Sequence, residues 1–128
     1  MSSLTTSWLR SAFSAIAFAL SLAASTAVAQ GAEVTYALRI ESGRVPENMR
    51  LIRVTQGDVV KLQWSADKPS TVHLHGYDIE QEVKPGKVTE MTFTARATGR
   101  FTIEPHLGKT PSGGHAHGDV LVTIEVYP

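Results

Sequence analysis

The sequence predicts an all-β domain, a Greek-key antiparallel β-sandwich or barrel of about seven strands. Three observations carry this expectation. Apolar and polar residues alternate in short runs, the pattern of strands with one buried face. Turn-forming residues separate those runs at short intervals. No segment sustains the 3.6-residue period of an amphipathic helix. Short strands so spaced favour two packed sheets or a closed barrel.

Residues 1–29 stand apart from this pattern. One basic side chain, Arg10, precedes an apolar run from Ala12 to Ala24, and the small-residue exit Ala27-Val28-Ala29 follows. That is the layout of a secretory signal peptide with cleavage after Ala29. The run is too short for a transmembrane helix, which needs roughly 20 residues. Residues 30–128 are expected to be the mature domain, exported to the periplasm or secreted, with no membrane span after cleavage.

Along that domain the elements follow one another plainly. Val34, Tyr36, Leu38 and Ile40 form one apolar face, with Glu33, Thr35, Arg39 and Glu41 opposite. Gln56-Gly57-Asp58 marks a turn, after which Val60, Leu62 and Trp64 keep the same parity. Asp67-Lys68-Pro69-Ser70 and Lys84-Pro85-Gly86-Lys87 mark two further turns, and Met91, Phe93 and Ala95 resume the alternation. Thr98-Gly99-Arg100 leads into Phe101 and Ile103, and Val120, Val122, Ile124 and Val126 close the chain. Gly108 to Gly118, with four glycines, a proline and two histidines, is expected to be a mobile loop.

Composition narrows the function. The 128 residues carry 12 Lys plus Arg against 12 Asp plus Glu, so no long-range field attracts a nucleic-acid backbone. No cysteine is present, which removes disulfides, thiolate nucleophiles, iron–sulfur clusters and thiolate-ligated copper. Without disulfides a domain this small depends on a well-formed apolar core.

The histidines carry the functional signal. All five fall between His73 and His117, as His73-Leu74-His75-Gly76, Glu104-Pro105-His106 and His115-Ala116-His117-Gly118. Two histidines two residues apart on a strand share a face, so His73 and His75 present their rings side by side. In a sandwich, strand ends meet at a pole, where His106, His115 and His117 can join them. A lone strand histidine is usually a surface residue, but five confined to one third of the chain suggest a metal site. Imidazole nitrogen suits Cu(II), Zn(II) and Ni(II). Glu104 is either an oxygen ligand, an orienting partner for a ligating imidazole or a solvated strand carboxylate. Met91 shares the parity of Phe93 and reads as core, and Met49 is the other thioether within reach of the fold. Asp78 and Asp119 read as turn-flanking residues rather than as a general base.

These residues also carry a family resemblance. Val54-Thr55-Gln56-Gly57-Asp58-Val59-Val60 with Trp64 resembles the strand-turn-strand near the start of cupredoxins. The segment from Pro69 to Asp78 resembles the region of their first copper-binding histidine and is similar to the His-x-His-Gly motif of multicopper oxidases. Gly99 to His106 and the closing run Val122 to Pro128 resemble the last strands of both groups. The resemblance implies a cupredoxin-like fold and a copper site, yet two departures limit it. Pro105 stands about where the blue-copper cysteine belongs and no methionine follows Met91, so blue-copper electron transfer is not expected. Glu104 stands where multicopper oxidases place a second histidine, and one domain lacks their further copper centres.

The expectation is therefore a non-enzymatic exported protein that binds copper, as Cu(II) or Cu(I), or else zinc, and buffers, sequesters or delivers it. Its partners would be the metal ion and a periplasmic copper-handling protein, with no nucleic acid. Its ligands would be His73, His75, His106, His115 and His117. A metal-free accessory module on the same fold and a mononuclear copper enzyme with an open position are the alternatives.

Overall fold

The computed structural model describes residues 31–128. The expected signal segment and its cleavage point lie outside the described residues, as does the side chain of His115. Among the described residues nine strands form: β1 (Glu33–Ile40), β2 (Leu51–Thr55), β3 (Val59–Ala66), β4 (Ser70–Leu74), β5 (Ile79–Val83), β6 (Thr89–Thr94), β7 (Gly99–Lys109), β8 (His115–His117) and β9 (Val122–Tyr127). One 3-10 turn, Glu47–Met49, precedes β2.

The strands divide into two sheets. One has the order β1-β3-β6, and the other has the order β2-β9-β7-β4-β5, with β8 added beside β7. The expected β-sandwich is therefore present, but two of its pairings are parallel: β1 with β3 and β2 with β9. Each parallel pair needs a crossover, which the chain makes by passing through the other sheet. Alternation reports burial and carries no sign of direction, so it could not distinguish these pairs.

The core is built from the alternating residues. Val60, Leu62 and Trp64 of β3 are fully buried, facing Met91 and Phe93 of β6. Val72 and Leu74 of β4, Ile103 of β7 and Val122 and Ile124 of β9 line the facing layer, all at 0% exposure. At about 1.5–3 kcal/mol for each large apolar side chain buried, this core offsets the chain entropy that no disulfide reduces. The indole N–H of Trp64 has no hydrogen-bond partner in that core, a cost of about 1–3 kcal/mol.

The turn at Gln56-Gly57-Asp58 holds the two layers together. Asp58 is 8% exposed, yet both carboxylate oxygens are used: Oδ1 accepts from the Ala32 N–H at 3.0 Å and Oδ2 from the Thr55 N–H at 2.9 Å. Gly57 supplies the positive φ of 95° that the turn requires.

The Gly-rich segment differs from the expected loop. β7 continues to Lys109, and β8 returns beside it with His106 opposite His117 and Lys109 opposite His115. Between the pairs His106↔His117 and Ile103↔Val122, β7 advances three residues while the returning chain advances five. The two extra residues interrupt the regular pairing there. Leu121 is buried at 2%, and Val120, expected in the core, is only partly covered.

Candidate metal centre

Register places five polar side chains on one surface. His73 of β4 lies opposite Glu104 of β7 and opposite Glu80 of β5. Directly paired residues share a sheet face, as do residues two apart on one strand, so His106 joins them and His117 follows from its pairing with His106. Their neighbours Val72, Leu74 and Ile103 fill the core. The imidazoles therefore gather on the outer face of the larger sheet, not at a pole of the sandwich. The pole was expected because strand ends meet there; the register of β4, β7 and β8 brings the rings together along the strands instead.

The chain beyond β4 is held to this surface by backbone. The His75 N–H donates to the Thr102 carbonyl at 3.0 Å, which extends the β4–β7 ladder past Leu74. Gly76 then turns at φ 86°, and a Cβ there would stand 2.7 Å from the Phe101 ring. Both facts demand glycine and explain the last position of His-x-His-Gly. Tyr77 packs its ring at 5.0 Å from Phe101 and 4.9 Å from Phe93, which closes the turn.

Three rings converge. His73, His75 and His117 each offer one nitrogen such that all three atoms lie within 4.8 Å of one another. Ring centroids stand 4.4 Å apart for His73 and His75, 5.0 Å for His75 and His117, and 5.8 Å for His73 and His117. Nδ1 of His73 is buried and without a hydrogen-bond partner. Asp78, fully exposed and at a left-handed φ of 54°, lies 3.6 Å from its Nε2. Three imidazoles with an orphaned nitrogen among them make a donor set suited to a borderline divalent cation.

Glu104 is not a solvated strand carboxylate. Its side chain is 21% exposed, and its Oε2 lies 3.1 Å from Nε2 of His75 and 3.8 Å from Nδ1 of His117. Oε1 accepts a hydrogen bond from the Thr102 hydroxyl at 3.3 Å. A carboxylate on one imidazole nitrogen fixes the tautomer and directs the other nitrogen outward to a metal.

The remaining expected residues fall into distinct positions. His106 stacks on His117 at 5.5 Å, but its Nδ1 lies 2.7 Å from Oε2 of Glu80, beside the convergent three rather than among them. The backbone of His115 pairs with Lys109 at the far end of the hairpin. Met91 is core at 1% exposure, and Met49 packs against the core. Asp119 lies in the segment between β8 and β9. Glu80 and Thr102 escaped sequence reasoning, because each becomes relevant only through a cross-strand partner.

No protein-family model and no curated protein matches the sequence. Solved structures do match. A chain of a heme-copper terminal oxidase dimer is similar at 19% identity and TM-score 0.54 over 72% of this chain, which spans 63% of that one. The periplasmic domain of subunit II of cytochrome oxidase from Bradyrhizobium japonicum is similar at 16% identity and TM-score 0.51, covering 73% of this chain and 83% of that one. A copper binding protein solved in its apo form by NMR is similar at 11% identity and TM-score 0.53, covering 76% and 97%. The fold is the cupredoxin fold.

Proposed function

We propose that this cupredoxin-fold domain binds copper through His73, His75 and His117, and that as an exported protein it buffers, sequesters or delivers the ion in the periplasm. The carrying observation is the convergence of three imidazole nitrogens within 4.8 Å on one face of the larger sheet. Copper is preferred to zinc because Cu(II) stands highest in the Irving–Williams order for nitrogen and oxygen donors. No thioether or thiolate sits among the three rings, so the set suits Cu(II) better than Cu(I). The similarity to a copper binding protein supports the same reading.

Within this proposal the chain's residues have separate tasks. His73 is carried by the regular part of β4, and His75 by the turn that Gly76 and Phe101 fix. Glu104 orients His75 and borders His117. His117 sits exposed on a three-residue strand, which gives an ion a way in and out without disturbing the main sheet. Copper bound there would have a tetragonal nitrogen and oxygen environment rather than a blue-copper one. Binding rather than turnover is proposed.

Calorimetric titration of the metal-free protein with Cu(II), followed by electron paramagnetic resonance, tests the proposal. One site per chain tighter than about 10 μM, roughly −7 kcal/mol, with nitrogen hyperfine structure and no intense thiolate band is expected. Weaker binding than that removes it.

A further inference from the structure

Back to back with the imidazoles, across β7, lies a second feature with its own chemistry. Pro105 and Leu107 alternate with Glu104 and His106, so they face away from the metal-binding surface. With Gly118 and Asp119 they form one wall of a cleft of about 580 Å³. The end of β1 at Ile40 and the turn from Ser42 to Val45 form the other. That volume falls within the range of small-molecule sites. None of the four histidines with described side chains, His73, His75, His106 and His117, lines it.

The lining divides into an apolar floor and a basic rim. Ile40, Val45 and Leu121 reach into the cleft from the core and are 2–4% exposed. Two guanidiniums border it against a single carboxylate, Asp119. Arg50 is fixed in place by donating from Nη2 to the Val120 carbonyl at 2.8 Å. Arg44 stands exposed on the turn between β1 and the 3-10 turn. Its backbone pairs with Glu41, while its guanidinium forms no ion pair or side-chain hydrogen bond among the described residues. A planar guanidinium with open donors matches a carboxylate, which it can grip through two parallel hydrogen bonds.

We propose that this cleft binds a carboxylate bearing an apolar tail. Arg44 and Arg50 hold the carboxylate at the rim, and the tail lies on Ile40, Val45 and Leu121. The carboxylate belongs either to a free organic acid or to the C-terminus of a peptide. Titration of the full, metal-free protein by 1H–15N correlation spectroscopy distinguishes these sources, with 3-phenylpropionate as one probe and an N-acetylated dipeptide ending in phenylalanine as the other. Saturable shifts are expected at Gly43, Arg44, Asp119 and Leu121 with at least one acid, and the tighter of the two identifies the source. Arg44→Gln, on an exposed turn, should weaken that binding about tenfold. 3-Phenylpropylamine, with the same tail and the opposite charge, should not saturate. Saturation by neither acid, equal saturation by the amine, or unchanged affinity in Arg44→Gln would overturn the assignment. Loss of copper binding leaves all of these readouts intact.

Discussion

Oε2 of Glu104 stands 3.1 Å from Nε2 of His75, bridging β7 to the turn that follows β4. The pair ties the half-buried carboxylate to the imidazole whose orientation depends most on a turn rather than on a regular strand. Removing the charge while keeping the shape should therefore loosen His75 without disturbing the sheet. Glu104→Gln is expected to lower Cu(II) affinity by roughly 10- to 100-fold, the range for outer-sphere partners of metal-binding histidines. Calorimetric titration measures the loss, and unchanged far-UV circular dichroism establishes that the fold is kept.

His117 and His106 are opposite each other on β8 and β7, yet only His117 belongs to the convergent three. His117→Ala should reduce Cu(II) affinity by more than the roughly 100-fold reached by outer-sphere changes. His106→Ala should cost less than tenfold, since Nδ1 of His106 is engaged by Glu80. Equal losses in the two variants would make His106 a ligand as well.

A ligand that binds only the folded chain raises its stability by mass action. At a free Cu(II) concentration of about 100 Kd the gain is about 2.7 kcal/mol. For a domain of this size that corresponds to an increase in Tm of roughly 10–20 °C. Differential scanning calorimetry with and without a chelator measures it, and the increase should vanish in His117→Ala.

Glu125 on β9 collects three partners on the outer face of the sheet. The Tyr127 hydroxyl donates to it at 2.8 Å, Arg100 at 2.8 Å and Arg53 at 3.1 Å. The Tyr127 hydrogen bond first, then Arg100 and Arg53, hold its carboxyl below the usual carboxylate value, against the opposing effect of its partial burial. A carboxyl lowered on folding contributes stability that is present above its unfolded value and is lost as the pH falls through its folded value. Urea midpoints should therefore decline on acidification, and less steeply in Glu125→Gln. The guanidiniums are well exposed, so added salt should shrink the difference.

A Cβ on Gly118 would lie 2.6 Å from Cγ of the Pro105 ring, which cannot swing aside. Gly118→Ala should therefore displace the chain next to His117. The expected result is weaker Cu(II) binding with a smaller change in urea midpoint than Leu62→Ala, a core truncation costing about 2–5 kcal/mol. A variant that binds copper as well as the parent would show that β8 moves without moving His117.

The sequence by itself determined the class of fold, the core and the chemistry of the site. Val60, Leu62, Trp64, Met91, Phe93, Ile103 and Ile124 were legible as core because the two-residue period of a strand follows from backbone geometry and burial alone. Imidazoles confined to one stretch, with no thiol anywhere, likewise limited the donors before any contact was known. Only the tertiary structure decided which rings meet and where. The pairing of β4 with both β5 and β7 puts His73 beside Glu104 and Glu80, and the return of β8 along β7 brings His117 to His73 and His75. Before β9 it is Leu121 that is buried, while Val120 is only partly covered. Register and strand direction arise from contacts between segments far apart in the chain, so a local pattern contains no record of them.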